Sequence, residues 1–208
     1  MEFTLQDQVD LQAVFERIYA NDSWSNGSGP GSAPSSTIEY RAFVERFMIE
    51  NDVRTVTDLG CGDWQFSRMM DWSGKTYRGY DVARSIVDRN NSLYATESIS
   101  FEVMGQMEDL PGGDLLLCKE VLQHLPNAMI AELLPIIASR YKFALITNAI
   151  EPVANANVDI LPGDWRPLRL DREPFYFAGA TVFIYFPQKG SHFWRNGVFL
   201  IMGHRDVR

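Results

Sequence analysis

One stretch constrains the fold of this chain more than any other: Val53-Arg54-Thr55-Val56-Thr57-Asp58-Leu59-Gly60-Cys61-Gly62-Asp63-Trp64. Val53, Val56 and Leu59 are apolar β-formers with Thr55 and Thr57 between them, so the first half reads as a strand. The chain then turns through Gly60 and Gly62 and is expected to re-emerge as a short helix over Gln65 to Trp72. Two glycines permit positive φ and let a ligand approach the backbone where a Cβ would collide. Asp58, near the strand's carboxyl end, is placed to face the crevice in which open α/β sheets bind ligands. A second strand, Thr76-Tyr77-Arg78-Gly79-Tyr80-Asp81-Val82, also ends on an acid. Asp81 lies about 20 residues beyond the glycine turn, the spacing from which a carboxylate accepts both hydroxyls of a nucleotide ribose. The alternative for Asp81 is a solvated aspartate at a strand end.

The rest of the chain supplies the partners of such a unit. Leu5 to Ala20 is expected to form an amphipathic helix. Asn21 to Ser36 is rich in Gly, Ser and Pro, and reads either as a flexible linker or, because Trp24 is out of place in a solvated spacer, as a functional lid. Thr37 is a candidate N-cap for a helix to about Glu50, with Tyr40, Phe43, Val44 and Phe47 on its apolar face. A helix over Ala83 to Tyr94 and a strand over Ile99 to Val103 follow. The unbroken apolar run in Asp114-Leu115-Leu116-Leu117-Cys118 suits a central strand buried on both faces. Ala128 to Arg140 is expected to be helical and Phe143 to Asn148 a strand. Glu151 to Glu173, with Pro152, Pro162 and Pro167, is a long loop of the kind that is functional or disordered. Thr181–Phe186 and Gly197–Met202, joined through Pro187 to Asn196, form a candidate antiparallel hairpin. At 208 residues the chain is expected to be one domain: 1–50 a helical cap and lid, 51–149 a ligand-binding core, 150–208 a substrate-side loop and hairpin.

Asp58-Leu59-Gly60-Cys61-Gly62, with the later run Val121-Leu122-Gln123-His124-Leu125-Pro126 after its strand, resembles the class I S-adenosylmethionine-dependent methyltransferases that act on small molecules. One subgroup is similar over the lead-in too, through Ile18-Tyr19, Trp24, Ser28-Gly29-Pro30-Gly31-Ser32, Thr37 and Tyr40-Arg41. The same subgroup is similar over Asn155, Asn157, Asp159, Gly163, Arg166, Leu168 and Pro174-Phe175. The resemblance implies an α/β Rossmann-like fold: a mostly parallel seven-stranded sheet, helices on both faces, and a carboxyl-terminal antiparallel hairpin. It implies S-adenosylmethionine as cofactor and S-adenosylhomocysteine as product.

By the same resemblance Asp58, Gly60, Cys61 and Gly62 form the nucleotide loop, Asp81 meets the ribose, and Val82 and Ile86 lie against the adenine. Gln106 and Met107 fall where the family meets the adenine amino group, with Glu108 and Asp109 as alternatives in register. Lys119, Glu120 and Val121 would sit beside the methionyl and ribose portions, and the loop carrying Trp24 would cover the methionine end. Arg41 either faces the methionine carboxylate or is a solvated helix residue. Asn148, Trp165 and Arg166 would line the substrate side, Arg166 either as a clamp for an anion or hydroxyl or as a staple paired with an acid such as Asp164. Trp64 replaces the family's usual third glycine, so that a ring stands against the ligand or is turned away. His124, at the mouth, is either the general base or a packed histidine.

The reaction implied is in-line methyl transfer to a small-molecule acceptor, a hydroxyl being favoured. Two rivals stand beside it: a cofactor-binding module without catalysis, and a nicotinamide-dependent oxidoreductase, which shares the glycine turn and ribose acid but uses three glycines. A serine hydrolase is disfavoured because no Gly-x-Ser-x-Gly elbow occurs. No metal is expected, since His124, His192 and His204 are scattered and no Cys/His ligand spacing occurs. The net charge of −8 and the lack of a basic run argue against nucleic acid. Cys61 and Cys118 make no disulfide framework, Met1 to Asp10 is too polar for a signal peptide, and no apolar run is long enough to span a bilayer. A cytoplasmic monomer or homodimer is expected, with no membrane partner.

Overall fold

In a computed structural model the backbone is described over residues 5–151, 153–187 and 195–203, and side chains over the same residues except 5–10 and 153. His192, His204, Pro152, the first four residues and most of the Pro187–Asn196 connection lie outside the described residues. Seven strands form one sheet: β1 (Thr55–Leu59), β2 (Thr76–Asp81), β3 (Ile99–Val103), β4 (Gly113–Lys119), β5 (Tyr141–Ala149), β6 (Ala180–Tyr185) and β7 (Asn196–Met202). Their order is β3-β2-β1-β4-β5-β7-β6. The first five run parallel, while β7 is antiparallel to both β5 and β6. The carboxyl-terminal hairpin expected from the sequence is therefore present, with β7 inserted inside and β6 at the sheet edge.

Four α-helices accompany the sheet among the described residues: α1 (Leu5–Ala20), α2 (Ile38–Glu50), α3 (Arg84–Tyr94) and α4 (Asn127–Arg140). Alternation along the central strands makes two cores. Leu115 and Leu117 of β4, with Phe143 and Leu145 of β5, face a layer containing Tyr40, Val44 and Met48 of α2 and Val87 of α3. Leu116, Cys118, Ala144 and Ile146 face the other way, toward Ile130, Leu134 and Ile137 of α4. Period-2 side-chain alternation in strands buried on both faces produces this division. Among the described residues no helix is long and apolar enough to cross a membrane.

Three local expectations need correction. The helix expected over Gln65 to Trp72 is only a 3-10 turn at Ser67–Met69, closed by the Trp72 indole donating to the Ser67 carbonyl at 2.8 Å. Thr37 does occupy the N-cap of α2, but its hydroxyl makes no cap; it donates backwards to the carbonyls of Ala33 (3.1 Å) and Pro34 (3.2 Å). The segment 21–36 is not an open linker. It runs through two 3-10 turns, Pro30–Ser32 and Pro34–Thr37, and buries Gly31, Ser36 and Thr37.

The long loop after β5 is fastened by Arg166, which is 3% exposed. Its guanidinium donates to the carbonyls of Leu122 (2.9 Å) and Leu125 (2.8 Å) and to Asn127 Oδ1 (2.9 Å). Asn157 holds the return of the same loop, donating to the carbonyls of Arg169 (2.8 Å) and Glu173 (2.6 Å) and accepting from the Arg169 N–H. Burial lowers the Arg166 pKa to about 10, which leaves it charged at neutral pH. Of the two readings of Arg166, the staple matches the geometry, although its partners are backbone and amide oxygens and not Asp164. Arg166→Met should therefore destabilise the fold by about 2–4 kcal/mol, because several buried acceptors lose a charged donor together. Urea unfolding followed by circular dichroism measures this directly.

Candidate functional site

Strand order reverses between β1 and β4, and at such a switch point the loops leaving the two strands diverge and open a crevice. A cavity of about 430 Å³ lies there. Its floor is the turn Leu59–Gly62 after β1 and the segment Lys119–Val121 after β4, and its flank is Asp81 and Val82 after β2. Gly60 and Gly62 both hold positive φ, at 74° and 55°. A Cβ on Gly60 would stand 2.3 Å from Val121 Cγ2, and one on Gly62 would stand 2.2 Å from Ser28 Oγ. The glycines thus make room for neighbouring protein.

Two carboxylates set the electrostatics. Asp81, 6% exposed, accepts the Gly62 N–H on one oxygen and the Ala83 N–H on the other, each at 3.0 Å. Burial raises its pKa to about 6, and those two N–H groups offset part of the rise. Each oxygen keeps a further lone pair for a hydroxyl donor. Asp58, 3% exposed, accepts the Tyr77 hydroxyl at 2.6 Å and that of Ser67 at 3.4 Å; burial raises its pKa to about 6 against these bonds. Among the described residues, the one Lys or Arg on the cavity wall is Lys119. It pairs with Glu120, donates to the Gly31 carbonyl at 2.9 Å, and lies 5.2 Å from the Phe66 ring centre and 5.7 Å from that of Tyr40. Glu120 itself holds φ of 56°, an uncommon conformation for a residue with a side chain.

The lead-in loop forms the cavity's cover and is tied to the glycine turn. Ser28 Oγ accepts the Asp63 N–H at 2.9 Å and shares a hydrogen bond with the Tyr19 hydroxyl at 3.2 Å. Gln65 donates to the Asn26 carbonyl and, at 2.8 Å, to Asp63. Trp24 lines the cavity and packs edge-on against Phe15 and Tyr19. Its ring centre also stands 4.9 Å from that of His124.

At the other end, His124 Nδ1 lies 2.8 Å from the Asp164 carbonyl. A carbonyl only accepts, so Nδ1 carries a proton in this bond. Trp165, next to Asp164, also reaches the cavity and is 44% exposed. Leu11 and Phe15 of α1, Met104, Met107, and Met129 and Leu133 of α4 complete an apolar wall.

Of the residues expected here from the sequence, Trp24, Asp58, Gly60, Cys61, Gly62, Asp81, Val82, Met107, Lys119, Glu120, Val121, His124 and Trp165 all line this cavity. Four do not. Gln106 is exposed and closes a capping box with Asp109, so Gly105 and Met107 reach the wall in its place. Arg41 lies on α2 and donates to the Pro34 carbonyl at 3.3 Å. Asn148, 2% exposed, borders a separate hollow of about 10 Å³ beside Leu168 and Gly197. Arg166 is withdrawn into its loop. Trp64 is turned away: at φ of 58° its ring packs among Tyr77, Tyr94 and Phe101. Sequence reasoning missed Tyr77 and Asn90, which donates to the Gly62 carbonyl at 2.7 Å, together with the wall from α1 and α4. The apolar face of α1 was visible, but amphipathic spacing does not say what a face covers.

No protein-family model matches the chain, and no curated protein matches its sequence. Solved structures do match in shape. The magnesium protoporphyrin IX methyltransferase of Synechocystis PCC 6803, with bound S-adenosylmethionine, is 14% identical with a TM-score of 0.62, covering 96% of this chain and 99% of its own. The 1,6-didemethyltoxoflavin-N1-methyltransferase of Burkholderia thailandensis, bound to 1,6-didemethyltoxoflavin and S-adenosylhomocysteine, is 12% identical with a TM-score of 0.66 over 99% of this chain and 92% of its own. The N-methyltransferase NodS of Bradyrhizobium japonicum WM9 is 14% identical with a TM-score of 0.58, over 80% and 96%. With β7 reversed against six parallel strands, this chain has the Rossmann-like fold of the class I S-adenosylmethionine-dependent methyltransferases.

Proposed function

We propose that this protein binds S-adenosylmethionine in the switch-point cavity and transfers its methyl group to a hydroxyl of a small molecule. The observation that carries the reading is the Asp81 carboxylate, buried in the cavity wall and bonded to the glycine turn, with lone pairs left for two hydroxyls. The donor set fits that cofactor. Asp81 takes the ribose; Val82, Met104, Gly105 and Met107 offer an apolar slot for the base; Asp58 and Glu120 supply negative charge for a sulfonium and an ammonium. When bound, the cofactor supplies an electrophilic methyl group on a positively charged sulfur.

The chain's own residues do the rest. Trp24 and the loop through Ser32 exclude water from above, and the Trp24 ring face favours a cation beside it. The floor and cover fix the reacting partners in one geometry, which supplies much of the acceleration in a displacement of this kind. His124, its Nδ1 held at the Asp164 carbonyl, takes the proton of the acceptor hydroxyl as general base.

Three measurements test the reading. Calorimetry with S-adenosylhomocysteine should show binding that weakens by about 1.5–3 kcal/mol in Asp81→Ala, since a charge-assisted pair of bonds is lost; unchanged affinity would remove the carrying observation. The second is a pH profile. Hydroxyl donors favour the charged carboxylate, so the ligand lowers the Asp81 pKa from about 6. Affinity should be full above that value and fall as pH drops through it, with protons released on binding near pH 6. The unliganded protein should show the opposite trend: carboxylates raised to about 6 stabilise it in acid, and that contribution is lost as pH rises through about 6. The third is hydrogen exchange, which should slow across Trp24 to Ser32 when S-adenosylhomocysteine is added.

A further inference from the structure

The order of the strands sets the order in which a nucleoside meets the acids of the cavity. Met104, Gly105 and Met107 lie past β3, Asp81 ends β2, and Asp58 lies near the end of β1, with β3, β2 and β1 side by side in that sequence. A base in the slot past β3 and a ribose at Asp81 therefore direct whatever extends from the sugar toward β1, where the next carboxylate is Asp58. Glu120, beyond it after β4, is paired with Lys119. Asp81 is held by backbone N–H groups, but Asp58 is held by side chains: the Tyr77 hydroxyl at 2.6 Å and the Ser67 hydroxyl at 3.4 Å, both on Oδ2. The pairing of β1 with β2 produces this contact. Gly79 stands directly opposite Asp58 and has no side chain to offer it. Tyr77, opposite Val56, lies two residues back on the same face, within reach of a phenol. It is fully buried, its ring packed among Trp64, Trp72 and Phe101, so the hydroxyl has one fixed direction. Burial pushes the phenol's pKa well above its ordinary value and so keeps it a donor. Its bond favours the charged carboxylate, against the burial that raises the Asp58 pKa to about 6.

We infer that Tyr77 is the positioning residue through which this site selects the amino-acid end of its cofactor, holding the Asp58 carboxylate by Oδ2 and leaving Oδ1 for the ammonium. This rests on the reading of the cavity as an S-adenosylmethionine site. Tyr77 does not line the cavity, whereas Asp58 does, so the tyrosine acts on the ligand only through that carboxylate. A nucleoside that lacks the amino-acid chain makes no use of either residue.

The test is calorimetry on the whole chain with S-adenosylhomocysteine and with methylthioadenosine, which keeps the base, the ribose and the sulfur but lacks the amino-acid chain. The wild type should prefer S-adenosylhomocysteine by at least ~10-fold. Tyr77→Phe, which keeps the ring contacts, should weaken S-adenosylhomocysteine about 10-fold and leave methylthioadenosine within about 2-fold. Asp58→Asn should show the same pattern, and adding Tyr77→Phe to it should bring no further loss, since both act through one contact. If Tyr77→Phe alone fails to fold, the double variant still carries the test, because it leaves no buried charge without its donor; it should bind S-adenosylhomocysteine as Asp58→Asn does. A wild type without preference, unchanged S-adenosylhomocysteine affinity in Tyr77→Phe, equal weakening of both ligands, or additive losses in the double variant would each overturn the role of Tyr77 while the cofactor site stands. If the wild type binds neither ligand, the methyl-transfer reading falls and this inference falls with it.

Discussion

The site depends first on the Asp81 carboxylate bridging two backbone N–H groups. One belongs to Gly62, in the turn after β1, and the other to Ala83, at the start of α3. A single side chain thereby sets the distance between the two loops that border the crevice. Charged and buried, it is held at an energetic disadvantage. The glycine turn takes its shape from several such ties, because Asn90 grips the Gly62 carbonyl and Ser28 fills the space a Gly62 side chain would need. Removing Asp81 would disturb the floor, the flank and the cover together.

The cover is built from residues whose own conformation is irregular. Residues 21–36 lack long secondary structure, so their order comes from side-chain bonds to the turn and from the Lys119 ammonium under Gly31. Lys119 itself lies beside the Tyr40 and Phe66 rings and pairs with Glu120. A buried ion pair of this kind adds little net stability but fixes position strongly, because breaking one partner leaves the other charge stranded.

Much of this was legible in the sequence, for a physical reason. Strands β1, β2, β4 and β5 are written as local runs of apolar residues, and the acid at the end of β2 sits where backbone geometry alone carries it to the crevice. The side chains of Asp81, Lys119 and His124 follow from strand ends, so their arrival at one cavity could be anticipated. Arg166, Arg41 and Gln106 could not be placed this way. Arg166 bonds to carbonyls that are distant in sequence, and nothing in a loop arginine's neighbours announces which oxygens it will meet. Gln106 differs from Met107 only in which way a short 3-10 turn rotates. Tyr77 looked like any strand aromatic, yet it is the principal donor to Asp58.

Trp64 carries a consequence for how this chain can change. Its left-handed backbone favours glycine by about 1–2 kcal/mol, whereas deleting a buried indole from the cluster with Tyr77, Tyr94 and Phe101 costs about 3–5 kcal/mol. A change of Trp64 to glycine is therefore uphill, although the backbone there is already shaped for it. The four rings pack as one cluster, so the effects of substitutions among them are expected to be coupled. Cys61 of the glycine turn packs in the same core as these rings, so a change within the cluster is felt at the floor of the cavity.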